Sequence, residues 1–237
     1  MTQKYITFIG DVHGCFLSLK ALLEKIPPLD NRIVLMGDII NKGKKSYDTF
    51  SYVKKNKIDL ILGNHEFLCK YRNHKWAKNL WLTTGGMETI NSIKKALGIR
   101  SEKQVQEVLA EMSYFFDWAT PYLIVDTAYN TKIIATHGGI SNRIFKQNNY
   151  DLSLALSIDL RVPGSFLFNK GDLAKIPNCI QVIGHQPTEY TQIESNGNYR
   201  IDTGCVYKKR GMSILTAIIF NLEKEQTPYF IHQPCID

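Results

Sequence analysis

Short apolar runs alternate with amphipathic stretches through the first third of the chain. Tyr5–Ile9, Arg32–Met36 and Ile58–Leu62 are of strand length and rich in β-branched and aromatic residues. Between the first two, Phe16, Leu19, Leu22, Leu23 and Ile26 recur at helical spacing from Cys15 to Ile26. Pro27-Pro28 stops that helix, because proline has no N–H to offer the next turn. Tyr47 to Lys55 carries a second helix. Strand, helix, strand, helix, strand predicts a parallel sheet built from βαβ units.

Further on the period changes. Gly85 to Phe116 predicts helix, with Met87, Ile90, Ile93 and Leu97 on one face and Gly98 as its stop. Tyr122–Val125 and Lys132–Thr136 flank Tyr129-Asn130, a hairpin signal, and Cys179–Ile183 is another strand. Ile193 and Tyr199 flank Asn196-Gly197, the best hairpin turn of the sequence. Met212–Phe220 and Pro228–Ile231 are the last strands. The expected class is α/β in the first half and largely antiparallel β afterwards. With no linker, repeat or composition break, residues 1–237 are expected to form one domain.

Polar residues close these strands in a repeated way. The first is followed by GDVHG with Asp11 and His13, the second by GD with Asp38, the third by GNHE with Asn64, His65 and Glu66. Lys132–Thr136 is followed by His137 in HGG, and Cys179–Ile183 by His185 in GHQP. Any one of these has a simple explanation as a turn residue bonded to its own backbone. Five in order do not. In α/β sheets ligands gather at the carboxyl ends of parallel strands, where glycine lets the backbone turn and approach closely. Aspartate, asparagine and histidine without a thiolate suit Mn²⁺, Fe²⁺ or Zn²⁺. Six ligands are too many for one tetrahedral ion, and fit two ions about 3.5–4 Å apart that share one carboxylate.

The ordered series GDVHG, GDIINKG, GNHE, HGG, GH resembles the metal-dependent phosphoesterases of the calcineurin-like superfamily. It is most similar to the compact bacterial and bacteriophage form of the phosphoprotein phosphatase branch. TTGGMETINS (Thr83 to Ser92) and IDTGCVYKKRGMSILTAI (Ile201 to Ile218) share the likeness, which thus touches most of the chain. The resemblance implies a four-layer α/β fold, two mixed β-sheets packed between helices, with the site at one sheet edge. It implies two divalent metal ions, Mn²⁺ first and Fe or Zn as alternatives. Asp11 and His13 would bind the first ion, Asp38 would bridge, and Asn64, His137 and His185 would bind the second. A hydroxide held between the ions would attack phosphorus in line, with His65 as the catalytic acid for the leaving oxygen. Glu66 reads as a helix-start charge.

Two departures stand out. The family has Asp-Arg where this chain has Asn41-Lys42. Lys42 keeps the charge of a phosphate-binding arginine but loses its planar, two-pronged fork. Asn41 can hold His65 but cannot lend it a negative charge, which argues for a better leaving group or a slower enzyme. A second substrate-binding arginine is expected at Arg161, although the tryptophan usual just before it is missing. His74 and His232 read as surface or filling residues. Trp76, Trp81, Tyr114, Phe115, Phe116 and Trp118 read as core.

The first function expected is therefore a metal-dependent phosphomonoesterase acting on phosphoserine, phosphothreonine or phosphotyrosine in proteins, favoured by GNHE, TTGGMETI and the short chain. The alternative is a dinucleoside tetraphosphate hydrolase, compatible with Asn41 and the DTGC stretch. That family usually carries a large insertion between the HGG and GH motifs, and this chain is short there. A phosphodiesterase or nuclease ranks low because Gln186-Pro187 follows His185 where such relatives have GHxH. A weakened phosphate binder ranks low because all six ligands and His65 are present.

Composition changes little: 44% hydrophobic, 22% charged, with a net charge of +7 that would attract anionic substrates. Five cysteines without a CxxC pair, and an N-terminal run broken by Gly10 and Asp11, lead us to expect reduced thiols in a cytoplasmic protein. The expected partner is a phosphorylated protein or another anionic phosphate, with no membrane or nucleic acid, and a monomer is expected.

Overall fold

The computed structural model describes residues 3–28, 30–208 and 211–237. Lys209 and Arg210, within the second family-like stretch, lie outside the described residues. The first third follows the predicted alternation: β1 (Tyr5–Ile9), α1 (Phe16–Lys25), β2 (Asn31–Leu35), α2 (Ser46–Asn56) and β3 (Asp59–Leu60). β1 pairs parallel with β2, and β2 with β3. Four further helices come next: α3 (Asn64–Lys70), α4 (Lys75–Trp81), α5 (Met87–Leu97) and α6 (Glu102–Phe116). A π-turn over Leu82–Gly86 joins α4 to α5. Then follow β4 (Tyr122–Asp126), β5 (Lys132–Thr136), α7 (Asn142–Gln147), α8 (Leu152–Leu156), β6 (Cys179–Ile183), β7 (Gln192–Ile193), β8 (Tyr199–Arg200), β9 (Ile214–Asn221) and β10 (Tyr229–Pro234).

The strands form two five-stranded sheets, ordered β10-β9-β1-β2-β3 and β4-β5-β6-β8-β7. Both predicted hairpins form, β4 with β5 and β7 with β8. The expectation of a largely antiparallel second half holds for β4 with β5, β7 with β8, β9 with β1 and β10 with β9, whereas β5, β6 and β8 run parallel. The reason is the crossover between β5 and β6. It contains α7 and α8, of six and five residues, too short to show a helical period in the sequence.

Alternation along the strands builds the layers. Ile6, Phe8, Val34, Met36, Ile218 and Phe220 face Ile133, Ala135, Val182, Tyr199 and Ile201 of the other sheet in one apolar layer. The opposite face of the first sheet, with Ile9, Leu35, Ala217 and Ile219, is covered by α1, α2, α5 and α6. Ile134 of the second sheet packs under α7, α8 and Phe166. Helices, sheet, sheet, helices are the four expected layers. α5 docks by its middle: Ile90 and Ile93 are buried, whereas Met87 and Leu97 are exposed. The aromatic cluster divides too, with Trp81 and Phe116 buried but Trp76, Tyr114 and Trp118 exposed. Among the described residues no helix is long and apolar enough to cross a membrane.

Candidate metal centre

Six parallel strands end facing one another, three from each sheet. The turns after β1, β2 and β3 carry Asp11 and His13, Asp38, and Asn64 and His65, while those after β5, β6 and β8 carry His137, His185 and Asp202. Most of these side chains are buried. Glycine is what allows them so close. A Cβ on Gly184 would lie 2.2 Å from Asp11 Oδ1, and one on Gly63 would lie 2.3 Å from Asp38 N. The candidate residues themselves bend the chain: His13, Asp38, Asn41, Lys42 and His185 all have φ between 44 and 70°. Such left-handed conformations cost non-glycine residues about 1–3 kcal/mol each and gather at sites that need them.

Asp38 is the hub. Its Oδ2 lies 3.3 Å from His137 Nε2, 3.5 Å from His13 Nε2 and 3.6 Å from His65 Nε2. These distances are long for direct hydrogen bonds, yet all three rings converge on one oxygen. Asn64 Oδ1 lies 2.9 Å from His137 Nε2 and 2.8 Å from His185 Nδ1. Backbone carbonyls orient two of the rings. His13 Nδ1–H donates to the Ile40 carbonyl at 2.9 Å, and His137 Nδ1–H to the Met36 carbonyl at 2.7 Å. Each ring therefore turns Nε2 inward, as metal-binding imidazoles do when a carbonyl holds the other ring nitrogen.

The electrostatics call for positive charge at this point. Burial alone would raise the Asp38 carboxyl, but His137, His65 and His13 hold it well below the usual range. Burial opposes a charge on His137, but Asp38 and Asp11 push it up to about 10. Asp11 is raised well above normal by burial and by Asp202 beside it. Burial takes His65 down to about 4 and His185 to about 3. His185 Nε2 is buried with no hydrogen-bond partner among the described residues. Two overlapping sets, His13–Asp38–His65 and Asp38–His137–His185, each bring ligand atoms within 4.8 Å of one another. An orphaned imidazole nitrogen, converging nitrogens and a shared carboxylate fit divalent cations of the Mn, Fe or Zn kind.

Two residues organise the surroundings. Glu66, buried at the start of α3, accepts from the N–H groups of Asp38 (2.7 Å), Ile39 (2.9 Å), Ile40 (3.3 Å) and Gly63 (3.1 Å). It is the buckle that fixes the Asp38 turn. Asn41 Nδ2 lies 2.6 Å from His65 Nδ1. Trp81 Nε1–H (3.2 Å) and Thr89 Oγ1–H (2.7 Å) both donate to Asn41 Oδ1. Two donors on that oxygen leave only the amide N–H₂ to face His65. The ring must accept at Nδ1 and carry its proton on Nε2, towards Asp38.

A cavity of about 770 Å³ opens over the centre, lined in part by Asp38, Lys42, Asn64, His65, Lys170 and His185. Lys42 reaches in, its Nζ 2.7 Å from His13 Nε2. The structure thus gathers Asp11, His13, Asp38, Asn64, His65, His137, His185 and Lys42. It does not bring Arg161 to them. That residue is exposed, paired through Nε and Nη2 with the Asp159 carboxylate two residues earlier (2.6 Å), and absent from the cavity lining. Lys170, Asp202 and the clamp made by Glu66 were not anticipated. Asp202 does follow the strand-end pattern, two residues after β8, a strand read from its hairpin turn and not from the residue that ends it. Nothing in the sequence around Lys170 marks it.

A family model of calcineurin-like phosphoesterases matches residues 4–215. Over 139 residues the chain is 30% identical to a symmetrical bis(5'-nucleosyl)-tetraphosphatase of Buchnera aphidicola, covering 56% of this chain and 43% of the relative. The chain thus spans less than half of that relative's length. It is 27% identical to the asymmetrical bis(5'-nucleosyl)-tetraphosphatase PrpE of Anoxybacillus flavithermus, covering 84% and 85% of the two chains. It is 25% identical to a serine/threonine-protein phosphatase 2 of Salmonella typhimurium, covering 85% and 88%. A solved protein serine/threonine phosphatase from Saccharomyces cerevisiae superposes with a TM-score of 0.65 at 15% identity, over 99% and 81% of the chains, and so shares the fold.

Proposed function

The chain belongs to the calcineurin-like phosphoesterases, and from that premise we propose that it is a hydrolase of dinucleoside polyphosphates. Asp11, His13 and Asp38 on one side, and Asp38, Asn64, His137 and His185 on the other, would hold two divalent ions, with Mn²⁺ as the working metal. When bound, such ions supply the positive charge that activates a water and neutralises phosphoryl oxygens. Lys42 and Lys170 bind the phosphate chain as point charges, the second in the role expected of Arg161. A reducing, cytoplasmic setting belongs to the same proposal, in keeping with five free cysteines.

One observation carries the choice of substrate: the Asn41 amide, locked by Trp81 and Thr89, presents a donor to His65 Nδ1. A doubly protonated His65 would set N–H against N–H. The ring therefore stays neutral and steadies a leaving oxygen through Nε2–H without giving up that proton. An alkoxide leaving from phosphoserine needs the proton, whereas a nucleotide leaving from a phosphoanhydride does not. Two of the three relatives above are bis(5'-nucleosyl)-tetraphosphatases, which supports the same choice. Phosphoprotein hydrolysis, ranked first by the motifs alone, is the second reading, favoured by the phosphatase relative matched over most of both chains.

Steady-state kinetics with Mn²⁺ on diadenosine tetraphosphate, a phosphoserine peptide and p-nitrophenyl phosphate separate the two. General-acid help is worth about 10²–10⁴-fold on a poor leaving group, so diadenosine tetraphosphate should exceed the peptide in kcat/KM by at least about tenfold. The reverse order overturns the proposal in favour of the phosphoprotein reading.

A further inference from the structure

Outside the metal centre, Cys15, Cys205 and Cys235 converge from three distant parts of the chain, with their Sγ atoms within 4.8 Å of one another. Cys15 and Cys205 are buried and Cys235 is partly so, and all are free thiols. The Sγ atoms of Cys15 and Cys235 are 3.9 Å apart. Three sulfurs bound to one ion at about 2.3 Å are separated by about 3.8–4.0 Å. The cluster therefore needs only a small contraction, within reach of side-chain torsions.

The surroundings set the thiols apart: hydrogen bonds with Cys15 and Cys235, together with burial, push the Cys205 thiol well up. Cys15 is the N-cap residue of α1 and makes no side-chain capping bond. The Cys205 thiol and the Asp237 N–H both bond to Cys235, bringing its thiol down to about 5. A second cavity, of about 520 Å³, is lined by Cys15 and Cys235 together with Lys42, Lys45, Lys208 and Asp237. It gives an ion a route in from solvent, and its lysines balance the charge of a three-thiolate complex. Ordinary hydrophobic use of cysteine explains burial. It does not explain three sulfurs in mutual contact beside a lysine-lined opening.

We propose that Cys15, Cys205 and Cys235 form a binding site for a single thiophilic metal ion, Zn²⁺ or Cu⁺, separate from the oxygen- and nitrogen-ligated centre. Thiolates select these ions over Mn²⁺, so the two sites sort metals by ligand softness. Loading the site ties the start of α1 to the DTGC segment and to the strand end after β10.

The test titrates the full chain, kept reduced and saturated with Mn²⁺, with Cd²⁺ as a spectroscopic probe. Sulfur-to-cadmium charge-transfer absorption should appear and saturate at one equivalent. Cys205→Ser and Cys235→Ser should each weaken that binding by about tenfold or more. The Cys69→Ser/Cys179→Ser double variant should keep it. Circular dichroism confirms that each variant is folded, and Cys235→Ala, at a half-buried position, serves if a serine variant is not. Competition then identifies the native ion, because Zn²⁺ or Cu⁺ should displace one equivalent of Cd²⁺. The proposal is overturned if no charge-transfer band appears, if Cys235→Ser or Cys235→Ala keeps it unchanged, or if neither ion displaces cadmium.

Discussion

In the proposed function a single amide decides what His65 can do. Because Trp81 and Thr89 hold Asn41 Oδ1, the only change needed to restore a charged partner is Asn41→Asp, with both donors still satisfied. The new carboxylate oxygen would accept from His65 Nδ1–H and stabilise the protonated ring. That raises the His65 pKa, so the acid form survives to higher pH and the alkaline limb of the rate profile moves upward. Turnover of phosphoserine peptides should rise by about tenfold or more, while diadenosine tetraphosphate turnover, with its good leaving group, should change little. Steady-state pH profiles on both substrates check this, and an unmoved alkaline limb would remove Asn41 from control of His65. At this scale the sequence was partly legible. Asn41 and its link to His65 could be read from the departure from a motif, because the chemistry of a missing carboxylate is local. Glu66 read as a mere helix-start charge, because four N–H groups from two distant turns meet it only after folding.

α3 owes its placement to that same glutamate. Its carboxylate accepts from both sides, Oε2 from Asp38 and Gly63, Oε1 from Ile39 and Ile40. Glu66→Gln puts an amide N–H₂ against one of those pairs of donors. The loss of stability should be about 2–4 kcal/mol, read as a lower urea midpoint at unchanged m-value. A variant as stable as the parent would show that the turn holds without its buckle. α2 offers the opposite change. Lys57 caps it at φ 51°, exposed and left-handed. Lys57→Gly should raise stability by about 0.5–1 kcal/mol, because relief of the left-handed strain outweighs the extra freedom of unfolded glycine. Thermal melts read this directly. Elements with a long, regular period, such as β1, α1 and α5, were visible in the sequence. α7 and α8 were not, since six and five residues show no helical period, and the parallel pairing of β5 with β6 depends on the crossover they form.

At the scale of the molecule, the centre is a meeting of two sheets that each bring part of the charge. Asp11, Asp38 and Asp202 are buried beside four imidazoles. Cations that bind there should stabilise the whole fold by mass action, about 2.7 kcal/mol per site at a hundredfold excess over Kd. For a chain of this size that corresponds to roughly 5–10 °C in Tm per site. Melting in Mn²⁺ and in EDTA should differ by at least that, and the gap should shrink in Asp38→Asn, which loses the shared ligand. Identical curves would speak against ions at the strand ends. The division of ligands also makes the molecule a two-part lock. Asp11, His13, Asp38 and Asn64 precede the Tyr129-Asn130 turn, while His137 and His185 follow it, as do β9 and β10, which complete the first sheet. A chain cut at that turn gives two pieces, neither with a full ligand set nor a full first sheet. Fused to two proteins that meet, the pieces would cleave a phosphoanhydride only on reunion, a proximity sensor whose off state is enforced by topology.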